Sequence, residues 1–357
     1  MLKPLIKSKN LEQPMKHYIG LDVSMKRTFI CVINEQGKIV QEGSENTDPH
    51  LIADYLSKLN LEEMTVGFES GSLTPYLLSG FKERAIDAIC MDARKLSPIL
   101  ALKVNKTDKN DARGIAEALR AGMYTQVHAK PEESINRAIL LTARRALIEH
   151  QTHLKNTVRG LLKSYGIRLG AISAKKFSTI VIKQIETRQE IIILSIKCLL
   201  DAFDKLVEET GKIDKKMLEI ASQDREVCRL MTVPGIGPVT ALTYKAEIFD
   251  PSRFKESRSV GAYLGMTPTQ YASGETQKQG KTSKCGSKEL RFLLVEAGIV
   301  ILTRSKKWSK LKAWGLKIMR KKGLKKAAVA VGRKLAVIMH RMMLEEKEFI
   351  YGEPKAA

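Results

Sequence analysis

Along the first third of the chain, short apolar runs alternate with stretches of helical period. HYIGLDVSM, RTFICVIN and IVQEGSEN read as strands, and Gly37 in the intervening EQGK marks a hairpin turn. PHLIADYLSKL reads as a helix, MTVGFES as a buried strand, LTPYLLSGFKERA as a helix and DAICMDA as another strand. From about Thr107 a helical pattern carries Asp111, Ile115, Ala118 and Leu119. The order of three strands, helix, strand, helix, strand, helix predicts an α/β domain over residues 17–130, after a loose tail at 1–16. It is the order of an RNase H-like (RuvC-like) domain, and strand–helix alternation of this kind also suits many nucleotide-binding folds.

Between 131 and 227 the period changes. Leu140, Leu147, Leu154 and Leu161 recur every seven residues, as do Ile192, Leu199, Leu206, Ile213 and Ile220, with Ile196, Phe203 and Met217 between them. Such spacing predicts a coiled-coil helical connector, interrupted by Thr210, that forms an antiparallel hairpin or a dimerising arm. Helices packed in one bundle would give the same pattern. Residues 228–345 predict a mostly helical domain with Gly-rich turns, followed by a tail at 346–357.

Charge sharpens this picture. Lys and Arg number 61 against 39 Asp and Glu, a formal net charge of +22. A globular chain this basic most often meets a polyanion, because each cation near a phosphate releases condensed counterions. Membrane surfaces and acidic proteins compete as partners. From Ala297 through Leu344 there is no acidic residue, and the Lys-rich run includes Lys321, Lys322, Lys325 and Lys326. A solvated helix face usually mixes both signs, so this stretch points to phosphate. The five cysteines and six histidines do not cluster, which argues against a zinc site or a disulfide framework and fits a reducing cytosol. No apolar run approaches the roughly 20 residues of a membrane span, and the first residues lack a signal-peptide pattern.

Three groups of residues carry candidate chemistry. Asp22 ends a strand in IGLDVS, Glu69 ends another in VGFES, and Asp108 and Asp111 open a helix in KTDKNDARG. Residues three apart share a helix face, so four carboxylates can converge at one sheet edge and hold divalent metal. Taken singly, each is a strand-end acid, and Asp108 reads equally as an N-cap. The second group is LMTVPGIGPVTALTYKAEI, which looks like a helix-hairpin-helix. Gly235 and Gly237 would let backbone N–H groups approach a phosphate, although a plain interhelical turn has the same composition. The third is the polar stretch YASGETQKQGKTSKCGSKELR. It contains Ser273, which by itself reads as a turn former, and the cations Lys278, Lys281, Lys284 and Arg291 as candidate nucleic-acid contacts.

IGLDVS, GFES, KTDKNDARGIAEALR, VPGIGPVTA, YLGMTPTQYASGE and KKAAVAVGRKLA, in this order over residues 17–345, resemble the IS110 family of bacterial transposases, which includes Piv-type site-specific DNA invertases. The resemblance puts the family's acidic quartet on Asp22, Glu69, Asp108 and Asp111 and its serine, in a Gln-x-x-Ser-Gly context, on Ser273. The family often has two serines before that glycine; here the first is Ala272. It implies a recombinase that uses Mg2+ and joins the serine covalently to DNA. A structured non-coding RNA would pair with donor and target double-stranded DNA, and the protein would work as a dimer or tetramer. A metal-dependent nuclease for branched DNA and a non-catalytic nucleic-acid-binding protein are the alternatives from other classes.

Overall fold

The computed structural model describes residues 15–102, 105, 107–274 and 276–352. Of the expected tails, 1–14 and 353–357 lie outside the described residues, whereas Lys16 already belongs to the first strand and Phe349 packs against the C-terminal core. Contacts divide the chain into two compact units, Met1–Lys130 and Pro131–Ala357.

The first unit is a five-stranded mixed sheet. Its strands are β1 (Lys16–Val23), β2 (Arg27–Asn34), β3 (Ile39–Asn46), β4 (Glu63–Glu69) and β5 (Ala88–Met91), in the order β3-β2-β1-β4-β5. The first three pair antiparallel, whereas β1, β4 and β5 run parallel. Alternate side chains of the central strands serve opposite faces. Ile19, Leu21, Ile30, Val32, Val66 and Phe68 pack with α1 (Pro49–Ser57) and α2 (Thr74–Glu83). Cys31, Ile33 and Met91 serve the other face, under α4 (Asp108–Arg120). This agrees with the expected RNase H-like arrangement. One element goes beyond the sequence reading: α3 (Ala93–Leu100), capped by the Asp92 side chain and carrying Pro98, lies against α4.

In the second unit α5 (Glu132–Lys163) and α7 (Glu190–Gln223) form an antiparallel pair within the chain, with α6 (Ala174–Ile185) between them in sequence. The seam is not centred on the leucine stripe, of which Leu140 and Leu154 pack at its edge. On α5 the inward positions are Ser134, Arg137, Leu141, Arg144, Ile148, Gln151, Lys155, Val158 and Leu162, while Leu161 is 47% exposed. These inward positions keep the three-four spacing of a packed helix face, rotated from the leucines. Polar pairs set the register: Arg144 Nε donates to Asp214 at 2.5 Å, and Gln151 Nε2 donates to Thr210 Oγ1 at 2.6 Å. Thr210, the apparent interruption, is thus a buried partner rather than a break. Farther along, Phe177 and Phe203 meet edge to face among Val158, Leu162 and Leu200.

The remaining helices share one core with the base of this pair, since Leu141, Met217 and Ala221 cluster with residues of the C-terminal helices. These are α8 (Arg225–Met231), α9 (Pro238–Ile248), α10 (Ser259–Tyr263), α11 (Lys288–Thr303) and α12 (Lys310–Glu345). The polar stretch around Ser273 forms a hairpin of β6 (Pro268–Ser273) and β7 (Thr276–Thr282). Helix α12 is broken at Gly323, whose φ of 78° and ψ of 166° are non-helical. Its two arms fold together, because a Cβ on Gly315 would stand 2.6 Å from Val331 Cγ2. Lys321, Lys322, Lys325 and Lys326 are all exposed at the tip so formed.

Asp224 joins these parts. It caps α8 through the N–H groups of Glu226 and Val227, accepts Arg137 of α5 at 2.8 Å, and accepts Lys245 of α9 at 2.7 and 2.9 Å. Burial works to raise its pKa, but the Lys245 and Val227 hydrogen bonds and the two cations outweigh burial and hold it below the ordinary value. A depressed pKa means that the stability it contributes is full above the unfolded-state pKa of about 3.9 and is lost as pH falls through the lower folded value. Asp224→Asn should cost about 3 kcal/mol at neutral pH by leaving Lys245 and Arg137 short of a partner. Urea unfolding at pH 7 and below pH 3 checks this: the gap between wild type and variant should shrink in acid, and a gap independent of pH contradicts it.

Candidate functional site

The first site grows out of the parallel pairing of β1 with β4. Their last matched residues are Leu21 and Phe68, so Asp22 and Glu69 follow side by side at the same strand ends. Strand spacing there is about 4.8 Å. Both carboxylates are half-buried.

Helix α4 brings its acids to the same end. A Cβ on Gly20 would lie 2.1 Å from Ala112 O and 2.4 Å from Ala116 N, so only glycine lets α4 rest backbone to backbone on β1. The far end of α4 is marked by Arg120, whose Nη1 donates to Glu35 O in the turn after β2, away from Asp22. The N-terminus of α4, with Asp108 and Asp111 in its first turn, therefore lies at the Asp22 and Glu69 end of the sheet. The cap is Thr107, whose hydroxyl accepts Asn110 N–H at 3.2 Å, and not Asp108. Asp108 is left as an exposed first-turn carboxylate.

All four donors are carboxylate oxygens, a set that suits a hard divalent cation. Among the described residues, no group of three or more His, Cys, Asp or Glu stands close enough to enclose a metal. The four thus share an end of the sheet without forming a closed cage. A cavity of about 250 Å³ adjoins Glu69, between Phe68 and Leu77 and the β1–β2 turn at Ser24 and Met25.

The other candidates lie in the second unit. Ser273 is exposed at the end of β6, paired with Thr276, and Gly274 takes φ 53° in the turn between them, as a two-residue hairpin loop asks of its first position. Lys278 and Lys281 stand exposed on β7, and Lys284 follows. Arg291 faces inward: its Nη1 donates to the carbonyls of Leu264, Cys285 and Gly286 at 3.1, 2.6 and 3.0 Å. That use ties down the turn before α11 and competes with an outward contact to nucleic acid.

The two glycines of the α8–α9 turn differ. Gly235, at φ 81°, presses on α11, where a Cβ would meet Ala297 O at 2.9 Å. Its need for glycine is internal. Gly237 precedes Pro238 at the start of α9 and has open space at its Cβ position, whereas Gly235 is exposed with its Cβ direction turned onto α11. The Arg137, Asp224 and Lys245 cluster escaped the sequence because its members come from three helices far apart in the chain.

Two family models match the chain. One, the DEDD_Tnp_IS110 model described as "Transposase", matches residues 19–167, which include the acidic quartet. The other, described as "Transposase IS116/IS110/IS902 family", matches residues 228–313, which include Gly235, Gly237 and Ser273. The transposase for insertion sequence element IS1111A of Coxiella burnetii is 27% identical over 340 residues, covering 94% of this chain and 91% of that protein. The transposase for insertion sequence element IS1328 of Yersinia enterocolitica is 28% identical over 229 residues, 63% of this chain and 68% of its own. The pilin gene-inverting protein of Moraxella bovis is 32% identical over 124 residues, 34% of this chain and 37% of its own.

The seating of α4 is open to test. Gly20→Ala forces the helix off β1 and should destabilise the protein by about 1–3 kcal/mol, the usual range for overpacking. Gly71→Ala, at a position with nothing within 4 Å of the added carbon, should stay within about 0.5 kcal/mol. Chemical denaturation of both variants checks the pair, and equal effects contradict the close approach.

Proposed function

This chain belongs to the IS110 family of transposases, and on that footing we propose that it cuts and rejoins donor and target double-stranded DNA through Ser273 with the help of Mg2+ held by Asp22, Glu69, Asp108 and Asp111. The observation that carries the reading is the gathering of these four carboxylates at one end of the sheet, from two strand ends and one helix start. Clustered carboxylates repel one another, and divalent cations relieve that repulsion. When bound, the metal supplies charge stabilisation to the phosphodiester oxygens that attack and leave.

In the proposed step Ser273 Oγ attacks phosphorus. Its bond to phosphorus forms as the bond from phosphorus to the 3′ oxygen breaks. The hydroxyl proton passes to solvent, and the departing 3′ oxygen takes up a proton to become a hydroxyl. The phosphoserine ester conserves the bond, so a 3′ hydroxyl can later reverse the attack and reseal the strand without a nucleotide cofactor. The exposure of Ser273 at a hairpin tip suits a nucleophile that must meet a duplex.

The partners follow from charge and packing. A net charge of +22, and the four lysines at the α12 tip, suit phosphate contacts to DNA and to a structured RNA read by shape. Exchange of strands between two duplexes calls for a dimer or tetramer. The outward Ile139, Leu194 and Leu218 of the helical pair offer apolar area for it, since the seam itself is filled within the chain.

The test is a denaturing gel of the protein incubated with its element's end DNA, RNA transcribed from the flank of that element, and Mg2+. Wild type should yield a protein–DNA adduct that mass spectrometry places on Ser273. Ser273→Ala and Asp22→Ala should each lose it by at least a hundredfold while retaining nucleic-acid binding. Cleavage that leaves free 5′ phosphates and no adduct, or an adduct on another residue, refutes the serine assignment.

A further inference from the structure

The acid-free stretch carries a feature that phosphate contacts alone leave unused. The two arms of α12 and the chain after it enclose a groove of about 520 Å³. Its walls are Leu311, Trp314, Ile338, Met342, Phe349 and Ile350. Two of them are notably open to solvent, Trp314 at 39% and Ile350 at 78%.

The third wall is held in place. Phe349 N–H donates to Thr232 Oγ1 at 2.9 Å, and Lys310 N–H donates to Tyr351 O at 3.2 Å. Lys307 stacks its ammonium 3.7 Å from the Tyr351 ring centroid, and Phe349 and Tyr351 meet edge to face. The groove is therefore built before any ligand arrives.

The rim selects among occupants. Lys310, Lys334, Arg341 and Lys347 border it against Glu345 and Glu348. Glu345 is engaged by Arg341 at 3.2 Å and Lys347 at 3.7 Å, so the border is net positive. An anionic ligand with a flat apolar part fits a cationic border over an indole and a phenyl wall. An unstacked nucleobase on its phosphate backbone has both properties. A base pair within a duplex keeps its faces stacked and cannot enter a groove of this size.

We propose that this groove seats unpaired nucleotides, with a nucleobase against Trp314 and its flanking phosphates on Lys310 and Lys334. The site rests on the reading that the chain handles nucleic acid, and adds single-stranded segments, of DNA or RNA, to what it binds. Duplex binding through the lysine tip is independent of it.

Trp314 is one of two tryptophans, so Trp308→Phe makes it the only indole. In that background, short oligothymidylate and oligouridylate should quench its emission. A blunt duplex and an abasic oligonucleotide of equal phosphate count should bind at low salt, by anisotropy, without quenching. The same selective quenching in the wild-type protein guards against a folding defect of the background variant. Trp314→Ala should weaken oligothymidylate about tenfold, as loss of a stacked base does, and leave duplex affinity unchanged, while Trp314→Phe restores most of it. A response to one sugar alone assigns the site to DNA or to RNA. Quenching by the abasic strand or the duplex equal to that by oligothymidylate overturns the proposal, as does an equal loss of duplex affinity in Trp314→Ala. Duplex binding without any quenching sinks the groove alone, whereas absence of all nucleic-acid binding sinks the parent reading as well.

Discussion

The contact of α4 with β1 at Gly20 governs the N-terminal unit. Backbone lies on backbone there, at a distance that no side-chain carbon tolerates. The helix start is then fixed with respect to the strand ends, and Asp108 and Asp111 come to the same end as Asp22 and Glu69. Thr107 takes the capping duty, which leaves the Asp108 carboxylate available. Small residues continue the seam, since Ala112 and Ala116 are the buried residues over Gly20. A side chain that props the helix up by an ångström moves two of the four acids and leaves the other two in place, so geometry and chemistry are tied at this one point.

The second unit is held differently. Its long helices meet through polar seam residues whose partners fix register: Arg144 with Asp214, Gln151 with Thr210, and Arg137 with Asp224. Apolar layers such as Val158 and Leu162 with Leu200 and Phe203 add burial between them, but an apolar seam alone would slip by a heptad at little cost. Asp224 carries this register into the C-terminal core through Lys245. There, small residues again allow close approach, with Gly298 against Ala328 and Gly332 against Leu294. The same core supports α11, against which Gly235 packs, and the returning arm of α12 that presents its lysines and the Trp314 groove.

The sequence showed the sheet well and the rest unevenly, for identifiable reasons. Strands buried on both faces leave continuous apolar runs, so β1, β2 and β4 and their terminal acids Asp22 and Glu69 stand out. Helix α3 does not, because Pro98 reads as a breaker and Leu96 is its one buried residue. The leucine heptad of α5 pointed to the right helix but to the edge of its packed face, where Leu140 and Leu154 lie: counting only apolar positions passes over Arg137, Arg144, Gln151 and Lys155 nearer its centre. The β6–β7 hairpin is polar and exposed, with no apolar alternation to announce it. Nor does the sequence distinguish Gly235 from Gly237, since only the position of α11 decides which of them has no room for a side chain. Ser273 has no local chemical signature at all, and its assignment comes from the family resemblance alone.

The central claim is that four carboxylates from two strands and one helix act as a single divalent-cation site. Isothermal titration calorimetry of the whole chain with Mg2+, comparing wild type with an Asp108→Asn, Asp111→Asn double variant of unchanged circular dichroism, tests it most directly. The account predicts that affinity falls at least tenfold in the double variant. Binding by the double variant as tight as that of wild type would show that the helix-borne acids are not part of the site.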